Sequence, residues 1–303
     1  MICLGRARIR AARNSACTID AKQGARRVTD YSYENVLVEI EDEIAWVTLN
    51  RPEKRNAMSP ALCYDMVDVL TRLANDPGVR VLVLTGAGEA FSAGMDLKLF
   101  FRDLDGNPAE KTRAREADRS WNWQKLSNFP KPTIAMVNGY CFGGAFTPLV
   151  ACDIAIAAED ATFGLSEVNW GILPGGLVSK VVTMTMNYRQ SLYYAMTGKP
   201  FDGTKAAEIG LVTFAVPRDQ LRGEVAALAG DLKKIAPEVL RSTKETIRSI
   251  GDMPVEMAFE FAYAKSDQLR VRDGEQTRSR GMEEFLDTKS YRPGLGPVKR
   301  GES

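Results

Sequence analysis

The stretch PTIAMVNGYCFGGAF, residues 132–146, passes from a β-strand through a glycine-rich turn into the start of a helix. Its apolar first half predicts the strand. The Gly143-Gly144 pair predicts the turn, because glycine adopts backbone conformations that other residues disfavour. A strand that leads directly into a helix is part of a βα unit, so the neighbouring segments decide whether such units build the whole chain.

The same pattern continues on both sides of this stretch. The runs VRVLVLTG (79–86) and CDIAIAAED (152–160) predict strands buried on both faces. Ser59-Pro60 is typical of a helix start and predicts a helix over 59–75. We further predict two strands within 36–50 around a turn at Glu41–Glu43, a polar loop at 51–58, a loop over 87–97 that runs into a helix start, an amphipathic helix over 109–128 and a short strand over 161–165. Alternating strands and helices predict an α/β fold with a largely parallel sheet covered by helices.

The chain divides into three predicted regions. Residues 1–27 carry seven arginines and lysines against one aspartate, and we interpret residues 1–30 as a basic, disordered tail. An Arg-rich transit peptide for organellar import is the less favoured alternative. Residues 31–215 form the predicted α/β core. Residues 216–303 form a helical C-terminal region, with helices over 219–250 and 255–287 and a polar tail over 289–297.

Composition excludes several classes of function. The 303 residues carry a net charge of +1, which gives no argument for nucleic acid or an anionic membrane as a partner. The five cysteines are an odd number without a CxxC pair, which predicts reduced thiols in a cytoplasmic compartment. The chain has no histidine, so Ser–His–Asp and Cys–His mechanisms and histidine metal sites are excluded.

Three segments carry unusual backbone or side-chain chemistry. SAGMDLK (92–98) and NGYCFGGAF (138–146) each place a small-residue turn before a helix, where free N–H groups suit a developing negative charge. FGLSEVNWGILPGG (163–176) holds one acid, Glu167, among apolar residues, where desolvation raises a carboxyl pKa. Taken singly, the segments also fit a plain loop, close helix–strand packing and a structural acid. Together they predict an oxyanion hole beside an acid–base residue, the equipment for stabilising an enolate.

Four segments of the chain resemble motifs of a known family. RPEKRNAMSP, LVLTGAGEAFSAGMDLK, KPTIAMVNGYCFGGAFTPLVACD and FGLSEVNWGI are similar to motifs of the crotonase, or enoyl-CoA hydratase/isomerase, superfamily, over about residues 36 to 296. The resemblance implies a crotonase-like spiral of ββα units with a helical C-terminal part for trimerisation. It implies a homotrimer or a dimer of trimers, and a CoA thioester as substrate. No metal, flavin or nicotinamide cofactor is implied.

Within the superfamily, SEVNWGI, GGAFTPLVACD, QSLYYAMTGKPFDG and KSYRPGL are most similar to hydroxycinnamoyl-CoA hydratase-lyases. This resemblance implies a 4-hydroxycinnamoyl-CoA substrate of the feruloyl-CoA type. Water would add across the Cα–Cβ double bond, and a retro-aldol cleavage would then give an aromatic aldehyde of the vanillin type and acetyl-CoA.

The resemblance also assigns roles to residues. The N–H groups of Met95 and Gly144 match the oxyanion hole, and Glu167 matches the acid–base carboxylate. Tyr263 matches a tyrosine that binds the phenolic hydroxyl, reaching in from a neighbouring subunit. The positions that match the CoA pocket and the acyl wall are Lys54, Ala93, Gly94, Asp96, Leu97, Lys98, Ala145, Phe146, Ser166, Trp170 and Gly175.

Some positions depart from the pattern. Thr147 stands where simple hydratases of the superfamily have a first glutamate, which leaves Glu167 as the lone acid. A para-hydroxyl group on the substrate compensates, because its electron release stabilises positive character at Cβ. Phe100 replaces the second phenol-binding tyrosine of the hydratase-lyases, while Tyr140 and Leu173 are milder variations. Two alternatives stay open: an enoyl-CoA hydratase or isomerase for a different acyl group, and a CoA- or RNA-binding relative with little catalysis.

Overall fold

The computed structural model describes residues 26–27, 31–274, 276–290 and 292. The described chain contains a large sheet, a small sheet and helices that cover them. The strands are β1 (Arg26–Arg27), β2 (Val36–Glu41), β3 (Ile44–Leu49), β4 (Val81–Gly86), β5 (Ala90–Ser92), β6 (Thr133–Val137), β7 (Tyr140–Phe142), β8 (Ile154–Ala158), β9 (Thr162–Gly164), β10 (Phe201–Asp202) and β11 (Phe214–Val216).

The large sheet has the strand order β1-β2-β3-β4-β6-β8-β11. Strands β2 and β3 form an antiparallel hairpin, and β3, β4, β6, β8 and β11 run parallel. The small sheet has the order β10-β9-β7-β5, in which β5, β7 and β9 run parallel. The predicted α/β fold with a largely parallel sheet is therefore confirmed.

The helices lie mainly between the parallel strands and after the last strand. They are α1 (Pro60–Asn75), α2 (Pro108–Arg119), α3 (Phe146–Ala151), α4 (Val178–Thr185), α5 (Tyr188–Thr197), α6 (Gly203–Glu208), α7 (Leu221–Lys233), α8 (Pro237–Ile250), α9 (Val255–Arg272) and α10 (Thr277–Leu286). Short 3-10 turns occupy Pro52–Lys54, Gly143–Ala145 and Ser166–Trp170, and π-helical turns occupy Leu97–Arg102 and Ser120–Lys125.

Local sequence explains several of these elements. Every residue of β4 and β6 is buried, as their continuous apolar runs predict. Helix α1 begins as predicted: the Ser59 side chain accepts a hydrogen bond from the Leu62 amide, and Pro60 occupies the first turn, where its missing N–H costs nothing.

Three predicted helices are wrong in their extent. The helix predicted over 109–128 leaves α-helical geometry after Arg119 and continues as a π-helical turn. The helix predicted over 219–250 is interrupted between Lys233 and Pro237, because proline lacks the N–H that would continue α7. The helix predicted over 255–287 is interrupted after Arg272, before α10 begins at Thr277.

Two further predictions need correction. The loop predicted over 87–97 contains strand β5, and the glycine-rich turn of the opening stretch is preceded by strand β7. The predicted disordered tail is wrong for Arg26–Arg27, which pair with β2 in antiparallel register. The rest of residues 1–30, and residues 291 and 293–297 of the predicted polar tail, lie outside the described residues.

Candidate active site

A cavity of about 1720 Å³ opens beside the small sheet. Strand β5 leads into Ala93–Asp96, β7 into Gly143-Gly144, and β9 into Ser166-Glu167. Because β5, β7 and β9 are parallel neighbours, their carboxyl ends meet at one edge of the sheet. The three segments that the sequence singles out therefore converge, and Met95, Gly144 and Glu167 all line the cavity.

The first two segments touch through their backbones. A methyl group added at Gly94 would stand 2.6 Å from the Phe142 carbonyl oxygen and 3.0 Å from the Gly144 nitrogen. A methyl group added at Gly144 would stand 3.3 Å from the Met95 nitrogen. The contact at Gly94 excludes a side chain there, and the contact at Gly144 leaves little room for one. The two glycines therefore let the backbones at Met95 and Gly144 approach closely.

Both amides are free to donate. Met58 donates its N–H to the Gly94 carbonyl at 2.7 Å and accepts the Asp96 N–H at 3.0 Å, so the Met95 amide between them points away from this pairing. It has no hydrogen-bond acceptor among the described residues. Gly144 is the second residue of a 3-10 turn, where the N–H has no acceptor within the turn. Two adjacent free N–H groups on a cavity wall are the geometry that an oxyanion hole requires.

Glu167 lies in the first turn after β9, with its carboxylate against Gly143. A methyl group added at Gly143 would stand 3.0 Å from Glu167 Oε1. The other oxygen, Oε2, is buried and has no hydrogen-bond partner among the described residues. Burial raises the pKa of this carboxyl, and a hydrogen bond from its own backbone opposes the shift only in part. A raised pKa and an unpartnered oxygen suit a group that must both take and return a proton.

Most of the positions that the resemblance assigns line this cavity. They are Lys54, Ala93, Met95, Asp96, Leu97, Lys98, Phe100, Gly144, Thr147, Ser166, Glu167, Trp170 and Gly175. The Asp96 carboxylate also holds the loop in place, because it accepts hydrogen bonds from Arg51 Nη1 and from the Leu99 amide, each at 3.0 Å. Lys54 and Lys98 are exposed and place positive charge on the lining.

Four assigned positions do not line the cavity of this chain. Gly94 is packed against the backbone of Phe142 and Gly144, while Ala145 and Phe146 are fully buried. Phe146 packs edge-on against Phe163, with ring centroids 6.3 Å apart, so it supports the wall from behind. Tyr263 lies on α9, is 65% exposed and stacks on Phe259 with centroids 6.4 Å apart.

The sequence reasoning missed one wall of the cavity. The end of α2 and the π-helical turn after it contribute Arg115, Asp118, Arg119, Asn122, Trp123 and Gln124. Burial raises the pKa of Asp118 to about 7, although a hydrogen bond from Asn122 partly offsets the shift. A sequence signal was present: Asp118 falls among Ala114, Ala117 and Trp121, on the buried face of its helix. An acid on such a face is rare and indicates a site.

Comparisons with known proteins agree with this geometry. The profile of the enoyl-CoA hydratase/isomerase family matches residues 39–292. Hydroxycinnamoyl-CoA hydratase-lyase of Pseudomonas fluorescens is 56% identical over 271 residues, which cover 88% of this chain and 98% of that protein. The 2,3-dehydroadipyl-CoA hydratase of Escherichia coli K12 is 30% identical over 258 residues, or 84% of this chain and 96% of that protein.

Solved structures share the fold. An enoyl-CoA hydratase from Bacillus anthracis superposes with a TM-score of 0.76 at 28% identity, covering 89% of this chain and 100% of the other. Within the described ranges, the helices include none long and apolar enough to span a membrane. The same ranges hold no group of three or more Cys, Asp or Glu side chains arranged to bind a metal ion.

Proposed function

The chain belongs to the enoyl-CoA hydratase/isomerase family, and we propose that it is a lyase that hydrates and then cleaves a 4-hydroxycinnamoyl-CoA thioester. The products are an aromatic aldehyde of the vanillin type and acetyl-CoA. The observation that carries this proposal is the free Met95 and Gly144 amides beside the unpartnered Glu167 carboxylate. The high identity to a hydroxycinnamoyl-CoA hydratase-lyase supports the choice of acyl group.

In the hydration step, the thioester oxygen accepts hydrogen bonds from the Met95 and Gly144 amides. Glu167 takes a proton from water as the water oxygen bonds to Cβ, and the π electrons move toward the thioester to form an enolate. The enolate then takes the proton from Glu167 at Cα, which completes the hydration. Oxyanion donors of this kind each contribute about 10²–10³ in rate.

The cleavage step uses the same groups. Glu167 takes the proton of the new β-hydroxyl, the Cα–Cβ bond breaks, and Cβ leaves as the aldehyde carbon. The electron pair of the broken bond forms the enolate of acetyl-CoA, which the oxyanion hole again stabilises. Protonation at Cα by Glu167 gives acetyl-CoA and regenerates the carboxylate. One acid is sufficient because each step returns the proton that it takes.

We infer the acyl group from the residue at position 147, where simple hydratases have a second acid. Thr147 lines the cavity and is buried, so no second carboxylate occupies this position. Because Glu167 acts without a second acid at the position of Thr147, we expect a substrate whose own electron release promotes the addition of water. A para-hydroxyl group does so, because it releases electrons through the ring and the conjugated double bond to stabilise charge at Cβ.

The test compares two thioesters. Purified protein is mixed with feruloyl-CoA and, separately, with crotonyl-CoA, and chromatography identifies the products. We expect vanillin and acetyl-CoA from feruloyl-CoA and little hydration of crotonyl-CoA. Hydration of crotonyl-CoA with no aldehyde from feruloyl-CoA would overturn the proposal. That result would favour the second candidate, an enoyl-CoA hydratase or isomerase for another acyl group, which the apolar Phe100 side chain in the cavity supports.

We propose further that the active form is a homotrimer or a dimer of trimers in the cytoplasm. Helix α9 supports this, because it exposes an apolar set of side chains that includes Val255, Met257, Phe259, Tyr263 and Val271. In such an assembly we expect Tyr263, which is 65% exposed here, to face the cavity of a neighbouring chain, as the resemblance implies. Light scattering after gel filtration tests the state, and a monomer with full activity would refute this assembly.

CoA enters as part of the substrate, and we propose that the reaction needs no metal, flavin or nicotinamide. Full activity of protein dialysed against a chelator and free of visible flavin absorbance supports this. Activity that is restored only by an added cation or cofactor would contradict it.

A further inference from the structure

A further carboxyl group, that of Asp118, lines the cavity in addition to Glu167 and the ion-paired Asp96. Asp118 lies in the last turn of α2, next to Asn122 on the π-helical turn, and both residues line the cavity. The mechanism above does not use Asp118. An acid held partly buried on a helix face normally has a partner or a function, because burial disfavours its charged form.

The contacts of Asp118 leave one oxygen available. Asn122 Nδ2 donates to Asp118 Oδ1 at 2.7 Å, and the Cys63 thiol from α1 lies 4.0 Å from the same oxygen. The oxygen Oδ2 has no hydrogen-bond donor among the described residues, and none of their cations lies within salt-bridge distance of the carboxylate. Arg115 and Arg119 lie on the same helix and line the cavity, but neither forms an ion pair with the Asp118 carboxylate. Asn122 thus holds the carboxylate in position, and its Oδ2 remains an acceptor without a donor among the described residues.

This acceptor lies toward the inner end of the cavity. Some lining side chains, such as Lys54 and Trp170, are exposed to solvent. The large polar CoA moiety can contact them from outside the cavity. The buried part of the lining includes Phe100, Asn122 and Thr147, which are 3%, 5% and 4% exposed, together with Gly143 and Val178. Asn122 is the hydrogen-bond partner of Asp118, and its π-helical turn packs against α3, which carries Thr147. An acyl group that enters with CoA outside therefore points its far end toward this buried side.

From these contacts we propose that Asp118 determines acyl specificity by accepting a hydrogen bond at Oδ2 from the ring hydroxyl of an aromatic acyl group. The inference rests on the proposed function and names the residue that recognises its substrate class. The para-hydroxyl is the far end of a hydroxycinnamoyl group. Phe100 offers it no acceptor, whereas a carboxylate gives a charge-assisted hydrogen bond, about twice as strong as a neutral one.

The same contact supports the chemistry. A carboxylate that accepts the phenolic O–H increases the electron release of the ring toward Cβ, where water adds. The raised pKa of Asp118, about 7, brings its affinity for a proton closer to that of a phenol than an ordinary aspartate has. A thioester without the hydroxyl leaves Asp118 unpaired in the filled pocket, and sites built to bind a hydroxyl discriminate strongly against such analogues.

The experiment measures binding of two thioesters, 4-hydroxycinnamoyl-CoA and cinnamoyl-CoA, in a Glu167→Gln background in which turnover does not interfere. We expect Asp118→Asn to weaken 4-hydroxycinnamoyl-CoA binding about 10-fold and Asp118→Ala about 10- to 100-fold, from the strength of hydrogen bonds to charged groups. The affinity for cinnamoyl-CoA does not fall in these variants and rises where burial of the unpaired carboxylate had opposed its binding, which also shows that the pocket is folded. Glu116→Gln, an exposed acid on the same helix and outside the cavity, is the matched control and changes neither affinity.

Two outcomes overturn the inference: unchanged affinity for the hydroxylated thioester, or an equal loss for both thioesters, which indicates a structural role. Failure of the proposed function is distinguishable. In that case the Asp118-containing protein with Glu167 intact releases no aldehyde from 4-hydroxycinnamoyl-CoA, whatever the binding ratio of the Asp118 variants.

Discussion

The carboxylate of Glu167 lies against the α-carbon of Gly143, so close that a methyl group added at Gly143 would stand 3.0 Å from Glu167 Oε1. Gly143 also opens the 3-10 turn whose next amide, that of Gly144, is one of the two N–H groups of the proposed oxyanion hole. The proposed proton carrier and the proposed enolate site are therefore in direct contact. A small change in either displaces the other.

Replacing Glu167 by glutamine tests the proton carrier directly. The amide keeps the shape of the side chain but cannot take a proton, so we expect turnover of feruloyl-CoA to fall by about 10²–10⁴-fold. Binding of the thioester stays nearly unchanged, because the oxyanion donors remain. Aldehyde release is measured by chromatography, and Glu159→Gln, an exposed acid outside the cavity, is the control. Full activity of Glu167→Gln would refute the mechanism.

Replacing Gly143 by alanine tests the contact itself. Gly143 has φ +52°, which strains an L-residue, and the new methyl group pushes on Glu167 Oε1. A misplacement of about 1 Å at a reacting group costs about 10²-fold in rate, and we expect kcat to fall by about that factor. Gly88→Ala is the matched control for backbone strain, because Gly88 has φ +69° but lies outside the cavity. If both variants lose equal activity, strain and not the Glu167 contact explains the effect.

The local part of this site could be predicted from the sequence, because each segment carries its own signal. Gly94 and Gly143-Gly144 mark tight turns, and Glu167 is an acid in an apolar run. Their convergence could not be predicted from spacing alone, since it depends on the parallel neighbours β5, β7 and β9 in a small sheet. The resemblance to a family supplied this step in place of a physical argument.

The predictions from sequence that the structure contradicts fail for different physical reasons. The interruption before Pro237 was readable, because proline lacks an N–H, and Gly274 is likewise a local signal after Arg272. The change to π-helical geometry after Arg119 has no comparable local signal and follows from packing against α1 and α3. The overall amphipathic pattern of α2 does not reveal Asp118, whereas the position of this acid on the buried face of the helix does.

Replacing Phe100 by tyrosine tests the acyl pocket. Phe100 is 3% exposed and lines the cavity, so a hydroxyl added there can meet the ring hydroxyl of the substrate. We expect the affinity for 4-hydroxycinnamoyl-CoA to rise by up to about 10-fold, as a neutral hydrogen bond contributes about 0.5–1.5 kcal/mol. Cinnamoyl-CoA serves as the control thioester, with no gain. Unchanged affinity for the hydroxylated thioester would instead favour a different acyl group.

Asp118→Asn also makes a prediction about stability, independent of any substrate. Burial raises the pKa of Asp118 in the folded protein from its usual 3.8 to about 7, so the folded state holds this proton more tightly than the unfolded state. As pH rises through that interval, the unfolded chain loses the proton first, and the free energy of unfolding falls. Asparagine is uncharged and keeps an oxygen that can accept a hydrogen bond from Asn122. The free energy of unfolding of the variant therefore does not fall for this reason as the pH rises.

The stability advantage of Asp118→Asn should therefore be small near pH 4 and grow until about pH 7 to 8. Since one pKa unit corresponds to about 1.4 kcal/mol, the gain is at most a few kcal/mol. Urea unfolding followed at a series of pH values measures it, with Glu116→Gln as the exposed control on the same helix. An advantage that is constant with pH would show that Asp118 is not held with a raised pKa. An advantage that grows while binding of the hydroxylated thioester falls would mean that the fold tolerates an unfavourable buried acid for the sake of substrate recognition.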